Sequence, residues 1–239
     1  IIIANVTFVY HTQEMKHFFK LFLALLLFSL NAFPEVVPKS YEAVATTYEI
    51  KVDGKFDEEV WKTANIATDF IQLEPVEAAA VTQRTEVRVL YDNTAVYVFA
   101  HMFDTHADSI LHELGNRDEG LNLNADAFRI GIDTYNKRQS GYVFIVSASG
   151  VQTEFLDDDL TFDAVWESSV SIDQNGWYVE MKIPYSAIRF PSAAVQVWGL
   201  QFARTIRRNR EYDQWTLTPK EVQNRLMYWG TMNGIHDIK

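Results

Sequence analysis

The sequence has no cysteine among its 239 residues, which excludes disulfide frameworks, thiol catalysis, cysteine-ligated zinc and iron–sulfur clusters. Glycine and proline are scarce, with ten and six residues, so collagen-like and low-complexity chains are excluded as well. Basic residues are outnumbered 32 to 21 by acidic ones, which gives a formal net charge of −11. Because phosphate backbones are bound through basic surfaces, this balance argues against a nucleic-acid-binding protein. The hydrophobic fraction of 48% predicts a folded chain.

Long apolar runs are also lacking, apart from one near the start of the chain. After Met15 come two lysines, the apolar stretch Leu21–Leu30, and small or polar residues up to Ala32. This layout predicts a signal peptide over residues 15–32 and export to the periplasm, outer membrane or extracellular space. A membrane anchor is the alternative, but the run is about half the ~20 residues that a spanning helix needs. Residues 1–14 are interpreted as a spurious upstream extension.

Short β-segments separated by turn residues dominate the remainder. Residues 33–47 mix proline with small and polar residues and are predicted to be a linker. Residues 48–239 are predicted to form an all-β domain, an antiparallel β-sandwich (immunoglobulin/jelly-roll-like) with one or two short helices. The predicted strands are Tyr48–Val52, Glu86–Tyr91, Ala95–Phe103, Ala127–Asp133, Tyr142–Ser149, Val165–Ile172, Trp177–Ile183, Val195–Arg208 and Tyr212–Leu217. Short helical segments are predicted at Asp57–Ala64, Ser109–Leu114 and Pro184–Ile188.

Two of these strands have one apolar face and one small or polar face. In Ala127–Asp133, alternation groups the apolar residues Phe128, Ile130 and Ile132. The opposite face of the Val197–Arg207 segment carries Gln201, Ala203, Thr205 and Arg207. The apolar faces are predicted to be core. The other faces suit either solvent, which is the default, or a shallow ligand platform.

Three groups of residues, in order along the chain, resemble one known family. They are residues 52–64 (VDGKFDEEVWKTA) with 85–104, residues 126–150, and residues 175–191 (NGWYVEMKIPYSAIRFP) with 197–215. Together they are similar to the carbohydrate-binding module family 9 domain, in the version found at the front of large envelope proteins of Bacteroidetes-type bacteria. The resemblance implies a non-catalytic β-sandwich that binds a polysaccharide or oligosaccharide in polysaccharide catabolism. It also implies a larger β-rich region downstream in the same protein, as a further partner.

Members of that family clamp a sugar ring between two tryptophans, helped by charged and amide side chains. With Asp126–Asp133 and Trp229 as anchors, the clamp positions fall at Leu123 and near Gln223, and neither residue is aromatic. The positions of a family glutamate, arginine and asparagine are taken by Arg129, Ile145 and Ser147. The resemblance therefore implies the fold and the class of ligand without the usual clamp.

Trp166 and Trp215 are the best remaining candidates for sugar stacking, because each lies among polar residues. Packing is the commoner role for tryptophan in a sandwich, and it is the expectation for the other four. The predicted carbohydrate-binding residues are Arg129, Ser147, Gln201, Trp166 and Trp215.

Two charged clusters leave alternatives open. Glu154 and the aspartates of 157–159 could form a calcium site, a glycoside-hydrolase pair or a solvated loop, which is the default. No cofactor is predicted, with calcium as the weaker alternative. The arginines at 204, 207, 208 and 210 could form internal salt bridges or a docking patch for an anionic glycan or a following domain. The alternatives to carbohydrate binding are a protein-interaction domain on the same fold and an O-glycosyl hydrolase.

Overall fold

The protein is seen in a computed structural model that describes residues 39–157 and 159–238. The predicted upstream extension, the predicted signal peptide and the first part of the predicted linker lie outside the described residues. Within those ranges, the model contains no helix with the length and apolar character needed to cross a membrane.

The described residues form fourteen strands and five short 3-10 helices. The strands are β1 (Ser40–Glu42), β2 (Val44–Ala45), β3 (Ile71–Glu74), β4 (Ala79–Ala80), β5 (Thr85–Tyr91), β6 (Ala95–Phe103), β7 (Ala127–Asp133), β8 (Tyr142–Ser147), β9 (Gln152–Leu156), β10 (Glu167–Asp173), β11 (Gly176–Pro184), β12 (Val195–Ile206), β13 (Glu211–Gln214) and β14 (Gly230–His236). The 3-10 helices are Glu59–Thr63, Ala107–Ser109, Tyr185–Ala187, Arg207–Asn209 and Arg225–Tyr228.

The strands are arranged in two sheets, as the sequence predicts. Sheet A has the order β4-β3-β13-β12-β7-β8-β9. The first half of β12 also pairs with β14, and β14 pairs in parallel with β1. Sheet B has the order β10-β11-β6-β5-β2, in which β2 and β5 are parallel and the other pairs are antiparallel. The antiparallel pairs β5–β6, β7–β8, β10–β11 and β12–β13 each join strands that follow one another in the chain.

The main core lies between the two sheets and follows the strict alternation of strand side chains. Phe128, Ile130 and Phe202 contribute from sheet A, and Val98 and Trp177 from sheet B. All five side chains are fully buried. This confirms the faces predicted for β7 and β12. Burial of each large side chain of this kind stabilises the fold by about 1.5–3 kcal/mol, so this core holds the two sheets together.

A second, smaller core lies on the outer face of sheet B. Residues 48–64, which we call the cap, cover this face and bury Trp61 against Phe99 with ring centroids 5.6 Å apart. Glu180 on β11 anchors the cap. Its carboxylate accepts hydrogen bonds from the backbone N–H groups of Asp53 and Gly54, both at 2.8 Å, and from Trp61 Nε1 at 3.0 Å. Three donors therefore stabilise a carboxylate that is fully buried.

Three local predictions differ from the structure. Tyr48–Val52 is not a strand, because this segment runs across the outer face of sheet B, with Tyr48 72% exposed. Residues 40–45, inside the predicted linker, form β1 and β2, because Tyr41 and Ala43 enter the main core. The predicted helix at Asp57–Ala64 is a 3-10 helix over Glu59–Thr63.

Candidate functional site

A groove crosses the outer face of sheet A, on the side away from the core. It consists of two adjoining cavities of about 500 Å³ and 90 Å³, which share Arg129 and Tyr212. Strands β7, β8, β12 and β13 provide the floor, with Phe155 of β9 at one side. The loop before β7 borders the smaller cavity, and the segment before β14 borders the larger one. We refer to both cavities together as the groove.

Strand register determines which side chains meet on the groove floor. Arg129 on β7 is flanked by Ile145 on β8 and by Ala203 on β12. Two residues further along β7, Gly131 is flanked by Gln201. Alternation directs these side chains outward, because the intervening residues fill the core. Small neighbours on β12 and β7 leave the long Arg129 side chain room above the sheet.

The Arg129 guanidinium lies between two aromatic rings. Its central carbon is 5.7 Å from the ring centroid of Phe155 and 5.8 Å from that of Tyr212. Such contacts hold a guanidinium in place through the negative ring faces and leave its N–H groups available. Within the described ranges Arg129 forms no ion pair. The groove thus has a fixed, partly exposed fork of hydrogen-bond donors on its floor.

Trp229 packs against the floor of the larger cavity, over Gly131 and Gly141. A Cβ added to Gly131 would be 2.4 Å from Cη2 of this indole, and one added to Gly141 would be 2.9 Å from it. Both distances are too short for any side chain, so the two glycines create the space that the ring occupies. Trp229 is only half-buried and borders the cavity. It therefore presents an aromatic surface to whatever enters the groove.

Arg138 fixes the segment that carries this tryptophan. Its Nη1 donates to the carbonyl oxygens of Leu226 and Gly230, at 3.3 and 3.2 Å, on either side of Trp229. Asn224 Nδ2 donates in turn to the carbonyl oxygen of Arg138 at 2.8 Å. Two loops that are far apart in sequence are thereby joined into one wall of the groove.

Amide side chains supply most of the polar lining. The lining amides are Gln139, Gln201, Gln214, Gln223 and Asn224. Each amide offers both a donor and an acceptor, which is what a ligand with many hydroxyl groups requires. Among the described lining residues of both cavities, Asp157 is the sole carboxylate.

The three polar residues predicted to contact sugar differ in whether their side chains are free to face the groove. Arg129 and Gln201 both line the larger cavity. The amide of Gln201, however, is bonded at both ends to the backbone of Thr216, with Nε2 donating at 2.7 Å and Oε1 accepting at 3.0 Å. Ser147 is 1% exposed, and its hydroxyl is bonded to Ser149 and to the backbone N–H of Val151. Of these three predicted residues, Arg129 is the one with donors free to face the groove.

The stacking role predicted for the two tryptophans needs correction. Trp166 and Trp215 are each 4% exposed and belong to the main core. Trp166 packs edge-on against Phe144 and donates from Nε1 to Glu154 at 3.0 Å. Trp215 packs against Phe202. Neither indole can present its face to a sugar, because core side chains already cover it.

Glu154, the first residue of the predicted acidic loop, lies in a strand and has internal partners. Glu154 lies in β9 and is buried, and it accepts hydrogen bonds from Arg117, the backbone N–H of Ala164 and Trp166. Its oxygens therefore serve N–H donors, which leaves no role for them as calcium ligands. In the part of the chain that the structure describes, no group of three or more histidine or acidic residues is placed to hold a metal ion.

The arginine cluster of the sequence divides between two roles. Arg208 forms a bidentate pair with Asp104, at 2.8 Å for each bond, and the buried Arg204 lies 3.7 Å from the same carboxylate. Burial raises the pKa of Asp213, which faces Arg204 across the β12–β13 pair. These internal ion pairs confirm one of the two alternatives for Arg204 and Arg208. Arg207 instead lines the smaller cavity of the groove.

Sequence reasoning missed the aromatic lining of the groove, although signals for it exist. Gly131 interrupts a strand of larger residues, which marks a close approach by another group. Pairing β13 with β12 in register places Tyr212 opposite Thr205, on the outer face. The two expected clamp positions do reach the groove, since Leu123 lines the smaller cavity and Gln223 the larger one.

Comparison with known proteins agrees with this fold. The family model described as carbohydrate family 9 binding domain-like matches residues 52–232. No curated protein matches the sequence.

Several solved structures share the fold. A carbohydrate binding module family 9 from Caldicellulosiruptor kristjanssonii in complex with cellotriose is 15% identical, with a TM-score of 0.59 over 82% of this chain and 93% of that one. The complex of such a module from the same organism with glucose is 16% identical, with a TM-score of 0.61 over 84% and 99%. A putative carbohydrate-binding protein from Bacteroides uniformis ATCC 8492 is 10% identical, with a TM-score of 0.62 over 82% and 99%.

Proposed function

This chain belongs to the carbohydrate family 9 binding domain-like family, and we propose that the groove on sheet A is its carbohydrate-binding site. The observation that carries the proposal is the half-buried Trp229 indole, which borders a cavity of about 500 Å³ lined by amides. An aromatic face packs against the C–H face of a sugar ring, while amide groups satisfy its hydroxyls. The structures in complex with cellotriose and glucose make a glucose-based saccharide the first ligand to test.

Each part of the groove has a distinct role in this proposal. Trp229 provides the stacking surface, and Tyr212 borders both cavities, so it can contact successive sugar units. Arg129 donates from the floor to ring or hydroxyl oxygens. The rim amide of Gln223 is exposed and can bond to hydroxyls at the mouth of the groove.

The family is a binding module, and the lining favours binding over hydrolysis. A glycoside hydrolase needs two carboxylates placed across its cleft. The described lining residues provide one, Asp157. We therefore propose that any cleavage of the bound saccharide belongs to another domain or protein. Incubation of the purified chain with polysaccharide, followed by an assay for new reducing ends, tests this; sustained release would contradict it.

The binding site is tested by calorimetric titration of the chain with cello-oligosaccharides. Trp229→Ala should weaken binding by more than about tenfold, the usual cost of removing a central aromatic contact. Tyr48→Ala is the matched control, because Tyr48 is an exposed aromatic residue on the cap, on the opposite side of the sandwich. Equal effects of the two substitutions, or no binding of any saccharide by the folded wild type, would refute the proposed site.

We also propose that the chain is exported and precedes a larger region of the same protein. The predicted signal peptide at residues 15–32 supports export. Cell fractionation with an antibody to the domain tests this proposal, and recovery in the cytoplasm alone would contradict it.

A further inference from the structure

We infer that the saccharide bound in the groove is an acidic one, carrying carboxylate or sulfate groups along its chain. This inference rests on the proposed function, since it specifies the ligand of the same site. It comes from the charge of the groove lining, which is positive although the protein as a whole is negatively charged.

Three arginines line the groove. Arg129 lies on the floor where the two cavities meet, Arg207 lines the smaller cavity, and Arg225 lines the larger one. Each of the two cavities therefore has two arginines in its lining. Among the described lining residues, Asp157 opposes them as the sole carboxylate. In a protein with a formal net charge of −11, this groove is therefore a basic strip on an acidic molecule.

The three arginines also lack the ion-pair partners that five other arginines among the described residues have. Arg84, Arg117 and Arg208 each pair with a carboxylate. Within the described ranges, the groove arginines take part in no ion pair.

The positions of the groove arginines suit an external anion. The Arg207 Nε donates to the side-chain amide oxygen of Asn124 at 3.4 Å, which leaves its charge uncompensated. The nearby buried Asp126 accepts a hydrogen bond from the backbone N–H of Arg207 and not from its guanidinium. Arg129 is held between the rings of Phe155 and Tyr212, so less side-chain freedom is lost when it binds.

Arginine recognises planar or tetrahedral oxyanions through two parallel N–H donors, and these charge-assisted bonds are about twice as strong as neutral ones. A saccharide with an anionic group on successive units would offer such partners to the arginines of both cavities. A neutral saccharide would leave three cations near its hydroxyls without neutralising them. The charge of the groove therefore selects for an acidic chain, while stacking on Trp229 remains common to both kinds of ligand.

The test is calorimetric titration of the full chain with four oligosaccharides of matched length: an oligogalacturonate, the same compound with its carboxylates reduced to alcohols, a sulfated oligosaccharide and a cello-oligosaccharide. We expect at least one acidic compound to bind about tenfold or more tightly than the reduced one, the effect of one charged hydrogen bond. That preference should shrink as salt is raised from about 0.05 to about 0.5 M, because salt screens exposed charges. The better acidic ligand identifies the anionic group.

Substitutions separate charge recognition from saccharide binding. Arg129→Gln should lower the affinity for the acidic compound several-fold more than the affinity for the reduced one, because glutamine keeps hydrogen-bonding groups on the groove floor but lacks the charge. Arg189→Gln is the matched control, because this exposed arginine lies outside the groove, against a different cavity. Equal affinities for the acidic and reduced compounds, or a preference that salt does not alter, would overturn the inference and leave the proposed function standing. Failure of all four compounds to bind the folded chain would overturn both.

Discussion

Sheet A and sheet B both direct one face into the shared core, but their outer faces differ in composition and in cover. The outer face of sheet B carries Leu90, Tyr97 and Phe99 and is buried under the cap. The outer face of sheet A carries Arg129, Gly131 and the small residues beside them, and it remains open as a groove. Alternation is equally strict in both sheets. The outward residues of sheet B are apolar, so burying them stabilises the fold, whereas those of sheet A are polar or small and remain accessible.

This difference explains where stability and binding are located. The cap is fixed by a fully buried tryptophan and by a buried carboxylate with three donors, so it behaves as part of the core. The groove contains aromatic rings that are only half-buried and amides at its rim. Substitutions in the cap should therefore change the free energy of unfolding, and substitutions in the groove should change affinity.

The largest expected effect is that of Trp61→Ala in the cap. Trp61 is 0% exposed, and it contacts Phe99 and Glu180, so its removal should cost about 3–5 kcal/mol of unfolding free energy. Phe56→Ala is the control in the same cap, because Phe56 is 38% exposed and should cost much less. Denaturant unfolding measures both. A similar loss for the two variants would mean that the cap is not a second core.

The next effect is a pH dependence that comes from the buried carboxyl group of Glu180 on sheet B. Burial raises the pKa of Glu180 to about 7, against three N–H donors that lower it, from an ordinary value of 4.5. Between these values the folded protein keeps a proton that the unfolded chain has released. The stability contributed by this group is therefore greatest below pH 4.5 and falls as the pH rises to 7, by up to about 3 kcal/mol at 1.36 kcal/mol per pKa unit.

Glu180→Gln removes the titrating group and so isolates this term. The difference in unfolding free energy between wild type and Glu180→Gln should shift against the wild type as the pH rises through this window. Chemical denaturation at a series of pH values measures the difference. A difference that stays constant with pH, or that moves in favour of the wild type, would contradict the assignment of the raised pKa to Glu180.

The smallest expected change in stability comes from adding one methyl group to the groove. Gly131→Ala would place a Cβ 2.4 Å from the Trp229 indole, so the ring must move, at a cost of about 1–3 kcal/mol. Because the displaced ring is the proposed stacking surface, saccharide affinity should fall as well. Gly141→Ala, at 2.9 Å, is a graded control and should have the smaller effect on both quantities. Unchanged affinity in Gly131→Ala would separate Trp229 from the binding site.

Much of the sandwich could be predicted from the sequence because its central strands are long and strictly alternating. The β5–β6 hairpin and the faces of β7 and β12 follow directly from the order of apolar residues. The strands that were missed, such as β4 and β14, are short or contain few apolar residues. β14 exists because long-range pairing with β1 and pairing with β12 satisfy its backbone groups, and no local pattern records such pairings.

The candidate site was predictable only in its floor. Arg129 and Gln201 follow from the period of two along single strands. Phe155, Tyr212 and Trp229 come together from three separate segments, and their proximity depends on register and loop closure. Trp166 shows the opposite failure, because its polar neighbours in sequence suggest exposure while the fold turns its ring into the core.

The parallel pairing of β1 with β14 has a consequence for how the domain is assembled. Tyr41 lies in register with Met232, about 190 residues later in the chain, and both belong to the main core. During synthesis β1 emerges long before β14, and it stays unpaired until β14 has been made. Contacts of such high sequence separation slow folding and expose unpaired strand edges meanwhile. Among the described strands, the one synthesised last thus provides the pairing partner of the one synthesised first.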